Sequence, residues 1–208
     1  MSTRTLMKDP LNLIIIGAAG QGNVQISLLI GDALVQEGYL VTFGQTYGAT
    51  QRGGTVTNYL RISQDIQCSP IVPEGKADVV LALEPVEAMR VLRRYGNPGV
   101  ITIVNARAIH PIDITGGKLA YPDVDDLLHA ITRLSARTWV VNATEEAQQL
   151  GNPILANTIL TGALIGSGAL PLDKETMEPL LMERFPKAVE ANLMALSRGI
   201  DLVNQGGG

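Results

Sequence analysis

The chain has 208 residues, 46% of them hydrophobic and 17% charged, and a formal net charge of −4. That length suffices for one domain with a substantial core, and the acidic balance with scattered Lys and Arg argues against a nucleic-acid footprint. One cysteine, Cys68, and two histidines, His110 and His129, exclude a disulfide framework, a zinc ribbon or an iron–sulfur cluster built by this chain alone, and disfavour a histidine metal site.

Leu11–Ile16 is a continuous apolar run of strand length, followed by GAAGQG and then a helix over Asn23–Glu37. In that helix Ile26, Leu29, Ile30, Ala33 and Leu34 share one face, and Gly38 supplies the stop. Leu40–Phe43 reads as a second strand. After the loop GQTYGATQRGG comes TVTNYLRIS, where Val56, Leu60 and Ile62 alternate with Thr57, Tyr59 and Arg61. That alternation predicts a half-exposed strand, antiparallel to its neighbour. Val79–Leu83 reads as a buried strand, and Pro85 opens a helix that ends near Tyr95-Gly96. Val100–Asn105 is another strand, Pro122 to about Leu134 a helix, and Thr138–Val141 the last strand, with Trp139 in the core.

Four helical segments follow: Glu145–Leu150, Pro153–Gly166, Asp173–Arg184 and Lys187–Val203, with the tail NQGGG fraying. The uncharged stretch Gly151–Leu172 contains Gly162-x-x-x-Gly166, a helix-packing signature. Its early Asn152, Pro153 and Asn157 and its late Gly166, Gly168 and Pro171 make it a buried helix rather than a membrane span, which needs about 20 apolar residues. No stretch reads as a secretory signal. The alternation of strands and helices predicts a three-layer α/β domain over residues 1–208, with a mostly parallel sheet, at least one antiparallel strand and a helical C-terminal quarter. The mean hydropathy, +0.18, fits a sheet buried on both faces or a surface covered by a partner subunit. Cys68 reads as a small buried hydrophobe.

Chemistry-bearing residues gather at the predicted strand ends. Gly17-Ala-Ala-Gly20-Gln21-Gly22 turns a strand into a helix, a place where free N–H groups suit an anion. The spacing is not that of the dinucleotide fingerprint, Phe43-Gly44-Gln45 stands where a ribose-binding acid would be, and GK[ST] is absent. A tight, closely packed turn and a ligand-binding turn both fit this spacing. In the loop, Gly48, Gly53 and Gly54 permit positive φ or close backbone approach, Arg52 offers a planar fork, Thr50 and Gln51 add polar groups, and Tyr47 adds an amphipathic ring. A solvated connection is the simpler reading of the same residues. Glu84 precedes Pro85 and suits a helix cap; Asn105 ends a strand and can serve a ligand or its own turn. No residue is assigned as a catalytic nucleophile, acid or base, and no metal ligand is assigned.

GAAGQG after an Ile-rich strand, YGATQRGGTVTNYLRIS, VPEGKADVVLALEPVEAMR and QQLGNPILANTILTGALIG, in that order, resemble the small gamma-type α/β subunit of 2-oxoacid:ferredoxin oxidoreductases. Val72–Arg90 and NARAIHP at Asn105–Pro111 are most similar to the beta subunits of the indolepyruvate-specific branch. The resemblance spans about Leu11 to Leu202. It implies a pyruvate/ketoisovalerate oxidoreductase gamma-type domain in a cytoplasmic hetero-oligomer, inactive alone, with no membrane or nucleic-acid partner. The complex would oxidatively decarboxylate a 2-oxoacid, indolepyruvate or another arylpyruvate, to acyl-CoA and pass electrons to ferredoxin. Thiamine diphosphate, magnesium and iron–sulfur clusters would reside on the larger partner subunit. Coenzyme A would meet this chain at Gly17, Gly20, Gln21, Gly22, Tyr47, Thr50, Gln51, Arg52, Gly53, Gly54, Glu84 and Asn105. Two other readings are a purely structural subunit of such a complex and a free-standing nucleotide-binding oxidoreductase. Ala19 replaces a glycine of the family turn G-x-G-G-Q-G, which predicts altered dihedrals there.

Overall fold

Four consecutive β-branched or leucine side chains, Leu13–Ile16, have little helical freedom and pack well on a pleated surface. They form the middle of β1 (Leu11–Ala18), which is buried along nearly its whole length. The computed structural model describes residues 5–47, 54–108 and 121–206. Helix α1 (Asn23–Gln36) follows, then β2 (Leu40–Tyr47), β3 (Thr55–Ser63), β4 (Val79–Ala82) and α2 (Pro85–Tyr95). Strand β5 (Ile101–Asn105), α3 (Val124–Leu134), β6 (Arg137–Val141) and α4 (Ala143–Gln149) come next. A 3₁₀ turn (Pro153–Leu155) leads into α5 (Ala156–Gly166), α6 (Lys174–Arg184) and α7 (Val189–Gln205), so the last helix runs two residues beyond the expected Val203.

The sheet order among these strands is β2-β3-β1-β4-β5-β6. The pairs β1–β4, β4–β5 and β5–β6 are parallel, whereas β3 is antiparallel to both β1 and β2. Alternate residues of each strand serve two cores, as the period of two requires. Leu13, Ile15, Leu60, Leu81 and Ile103 join α1, α4, α5 and α7 on one face. Ile14, Ile16, Tyr59, Val80 and Val104 join α2 and Ile131 of α3 on the other. This is the expected α/β sandwich.

Two expectations need correction. Strand β3 is not half-exposed: Tyr59 is 3% exposed and Asn58 and Leu60 are fully buried. The polar-facing side predicted from alternation is covered by the connection between β3 and β4. Val72 of that connection shares the core of Tyr59, and the Pro70 carbonyl lies so close to Gly44 that a Cβ there would meet it at 2.3 Å. Tyr59 and Tyr95 hydroxyls meet at 3.0 Å under this cover. Cys68, in the same connection, is half-buried rather than buried, because the chain beside it, Gln64–Gln67, faces solvent. Trp139 is in the core at 5% exposure, with the Arg137 guanidinium 4.2 Å above its ring.

Helices α5 and α7 approach through small residues, as the Gly162-x-x-x-Gly166 spacing predicts. A Cβ on Gly162 would meet the Leu196 carbonyl at 2.2 Å, and one on Gly199 the Ile159 carbonyl at 2.0 Å. Arg198 of α7 then holds Glu146 of α4 in a two-pronged ion pair, Nε to Oε2 at 2.7 Å and Nη2 to Oε1 at 2.8 Å. Together these contacts fix the C-terminal helices against the sheet edge where the strands end. No helix among the described residues is long and apolar enough to cross a membrane.

Candidate functional site

Because β2 runs parallel to β1, and β3 antiparallel to both, one sheet edge collects the ends of β1, β2, β4 and β5 and the start of β3. Ala18 pairs with Thr55 and Tyr47 with Val56, and the Ala19 N–H donates to the Gly54 carbonyl at 2.8 Å. The GAAGQG turn, both strand ends that bracket the arginine-bearing loop, Glu84 and Asn105 therefore share this edge. Gly48, Thr50, Gln51, Arg52 and Gly53 themselves lie outside the described residues, as do His110 and Pro111.

Gly20 and Gly22 carry the turn, with φ of 90° and 80°. The positive φ calls for glycine at Gly22, and a Cβ there would also meet the Asn157 side-chain nitrogen at 2.5 Å and push that amide aside. Ala19 does not need positive φ: among the described residues only glycines adopt it. The alanine therefore sits in the turn outside the left-handed region, a backbone conformation its side chain tolerates. The Gln21 side chain is spent on the turn, its Oε1 accepting from the Ala18 N–H and its Nε2 donating to the Leu83 carbonyl at 3.5 Å. Gly17 lies under it, where a Cβ would meet Gln21 Oε1 at 2.6 Å and Leu83 Cβ at 3.0 Å. Asn23, buried, ties the first turn of α1 to β3 through the Val56 carbonyl at 3.1 Å.

On the α1 side of this edge lies a cleft of about 570 Å³. Gly20, Gln21, Gly22, Leu83 and Asn105 form its floor and one wall; the 3₁₀ turn, α5 and the start of α7 form the other. Asn157 of α5 closes the corner by donating to the Gln21 carbonyl at 2.8 Å, across 136 residues of sequence. Asn105 Nδ2 donates to the Leu83 carbonyl at 3.3 Å and to Thr144 Oγ1 at 3.1 Å. Arg107, Thr144 and Asn157 are cleft residues that the sequence reading does not single out. Asn157 was visible only as a polar break in an apolar run, and Arg107 as part of NARAIHP.

Glu84 lies at the same edge but outside the lining of the cleft. It caps α2, accepting from the Glu87 N–H at 2.6 Å, and its other oxygen accepts from the Tyr121 hydroxyl at 2.7 Å. Burial, then the hydrogen bond to Glu84, pushes the Tyr121 phenol well above its ordinary value. Glu87, 8% exposed, has Oε2 buried without a hydrogen-bond partner. Burial raises its carboxyl above the ordinary range, with Glu84 adding to the rise; Thr55 and Arg90 oppose it. The neutral acid is thus favoured by folding. Its stabilisation is complete below the unfolded pKa and is lost as pH rises through the higher folded value. Glu87→Gln should therefore melt higher than the native protein at pH 7, and the gap should close on acidification toward pH 4. Paired melting curves across that range test this; a gap that stays constant would contradict it.

Among the described residues, no group of three or more His, Cys, Asp or Glu side chains is placed to hold a metal ion. The edge offers backbone N–H groups, amides and a guanidinium around an apolar cleft, groups that can hydrogen-bond an anion.

Residues 12–202 match the family described as pyruvate ferredoxin/flavodoxin oxidoreductase. The chain is 36% identical over 190 residues to the indolepyruvate oxidoreductase subunit IorB of Archaeoglobus fulgidus, covering 91% of this chain and 93% of that one. Its fold is that of the keto/oxoacid ferredoxin oxidoreductase gamma subunit from Geobacter sulfurreducens, at a TM-score of 0.67 and 22% identity, over 94% of this chain and 99% of that one. The fold also recurs in the 2-oxoglutarate:ferredoxin oxidoreductase of Magnetococcus marinus, a structure with 2-oxoglutarate, coenzyme A and succinyl-CoA bound. There the TM-score is 0.73 at 19% identity, over 94% of this chain and 31% of that chain. With a family match across nearly its whole length and a relative above one-third identity, the chain belongs to the pyruvate ferredoxin/flavodoxin oxidoreductase family.

Proposed function

We propose that this chain is the non-cluster small subunit of a 2-oxoacid:ferredoxin oxidoreductase acting on indolepyruvate or another arylpyruvate. In that reaction the 2-oxoacid and coenzyme A give acyl-CoA and carbon dioxide, and two electrons pass to ferredoxin. A larger partner subunit carries thiamine diphosphate, magnesium and the iron–sulfur clusters, since four thiolates are the usual requirement of a cluster and this chain has one. The part assigned to this chain is binding: Gly17, Gly20, Gln21, Gly22 and Asn105, with Tyr47, Thr50, Gln51, Arg52, Gly53 and Gly54 of the loop, receive coenzyme A or border the partner's site. Glu84 supports that edge by fixing the start of α2.

The observation that carries this reading is the convergence of the glycine turn, both anchors of the arginine-bearing loop and Asn105 on one sheet edge beside an open apolar cleft. Similarity to indolepyruvate oxidoreductase subunits favours an arylpyruvate as substrate. The test is co-expression with the larger subunit and a dye- or ferredoxin-reduction assay over a panel of 2-oxoacids. Turnover should require both chains and coenzyme A, with arylpyruvates preferred. Arg52→Ala should raise the KM for coenzyme A roughly tenfold or more, the worth of one charge-assisted hydrogen bond. Catalysis by the isolated chain would overturn the assignment. An unchanged KM in Arg52→Ala would remove Arg52 from it.

A further inference from the structure

The two outermost strands of the sheet are built differently. Strand β6 is five residues long and opens with the exposed Arg137, the kind of charge that keeps a free edge from pairing. Strand β2 spans eight residues, LVTFGQTY, without a Pro, Lys, Arg, Asp or Glu. Its register against β3 runs unbroken from Leu40↔Ser63 to Tyr47↔Val56, so no bulge turns the edge away. Among the described residues no strand lies on its outer side. Alternate backbone groups of β2 point away from β3, a ready template for another strand.

Both borders of that edge are apolar. Leu28 and Val35 of α1 are exposed, at i and i+7 of a helix stripe that includes Gly31. A Cβ on Gly31 would stand 4.0 Å from Val41, which places this stripe over β2. Phe43, two residues on from Val41, is exposed on the same face of the strand. On the opposite face Leu40 and Ile66 are exposed beside Ser63: Leu40 pairs with it, and the Ile66 N–H donates to its Oγ at 3.1 Å. Ile71, next to the Pro70 that overlies Gly44, is exposed there too. Large apolar side chains thus flank an uncharged outer strand above and below, a pattern that marks an interaction surface.

We infer that β2 is the seam between two copies of this chain, paired antiparallel about a two-fold axis perpendicular to the sheet, so that two six-stranded sheets become one. Such an axis keeps each face of the sheet on its own side, so α1 meets its copy and the β3–β4 connection meets its copy. The apolar border of each layer then faces an apolar border, and no charge on β2 has to be buried. A chain of different sequence would have to match both layers separately. The size suffices as well. Eight residues give about 27 Å of edge, and one layer on each side makes it roughly 20 Å deep. That is about 500 Å² per copy and about 1,000 Å² in all, enough for a specific interface. No β2 residue lines the cleft, so this inference stands apart from the proposed function.

Analytical ultracentrifugation of the full chain, alone and with the larger subunit, tests this together with amide hydrogen exchange. The wild-type chain should sediment at twice its 22.1 kDa, and the complex should contain two copies of it. Val35→Glu puts a charge into the apolar border at an exposed helix position. It should raise the dissociation constant about tenfold or more at unchanged melting temperature, and alternate β2 amides should exchange faster. Phe43→Lys should act in the same direction, and if it does not fold, Val35→Glu decides. Val140→Lys, at an exposed position of β6, should keep the wild-type mass. A single copy in both chain and complex, or a two-copy species that Val35→Glu leaves intact, would overturn the inference. Protection of β2 amides only when the larger subunit is added would also overturn it, by making that subunit the occupant. Coenzyme A-dependent turnover, and with it the proposed function, is unaffected by any of these outcomes.

Discussion

Gly199→Ala should destabilise the protein by about 3 kcal/mol and lower its melting temperature by roughly 6–12 °C. Alanine is intrinsically favoured over glycine in a helix by about 1 kcal/mol, so propensity alone predicts the opposite sign. Steric contact decides. The added Cβ would lie 2.0 Å from the Ile159 carbonyl oxygen and 2.8 Å from the Ala163 nitrogen. Both are backbone atoms of α5, which no side-chain rotation can move aside. The helices would have to separate, and the reciprocal contact of Gly162 with the Leu196 carbonyl would open with them. Gly31 of α1 supplies the control. Its added Cβ would stand 3.8 Å from Leu60 and 4.0 Å from Val41, ordinary contact distances. Gly31→Ala should therefore be neutral or stabilising by up to about 1 kcal/mol. Equal melting temperatures for the two variants would show that α5 and α7 are not so closely seated.

Glu84→Ala should cost about 2 kcal/mol, combining a lost helix cap with the loss of the hydrogen bond from the half-buried Tyr121 hydroxyl. One carboxylate oxygen serves the Glu87 N–H and the other the Tyr121 hydroxyl, and the residue is only 3% exposed. Some of the loss is returned at neutral pH, because Glu84 raises the carboxyl of Glu87. Glu84→Gln keeps one acceptor oxygen and should fall between native and Glu84→Ala. Urea unfolding of the three proteins measures the series. A Glu84→Ala midpoint equal to the native one would mean that the cap and the tyrosine contact carry no weight.

The alternation of strands and helices was legible because each element has one dominant local cause. The β-branched run gives β1, Pro85 opens α2, and Gly38, with φ of 91°, closes α1. The close seating of α5 and α7 was legible for a similar reason, since paired small residues have few other uses in a buried helix. The burial of β3 was not legible. Its alternating pattern describes a strand with one wet face, and the cover comes from Val72 and Pro70 in a connection with no regular structure. The half-buried state of Cys68 has the same origin.

At the candidate site the near wall could be read and the far wall could not. Gly20, Gly22 and Asn105 stand next to strand ends, where position in sequence gives position in space. Asn157 reaches the turn from 136 residues away, and Thr144 reaches Asn105 only because β5 and β6 lie side by side. Such contacts follow from the order of strands and from the way the last helices fold back. Neither is written in any local pattern.

Strand β1 is bonded to β3 on one side and β4 on the other, and both of its faces are sealed. Transient fraying starts at the outermost strands, β2 and β6, and has to dissolve two ladders from the β2 side, or three from the β6 side, before it loosens Leu11–Ala18. The glycine turn thus hangs from the part of the molecule that is last to relax. Any induced adjustment to an incoming molecule must be made by the helical side of the cleft, with the strand side acting as its fixed jaw.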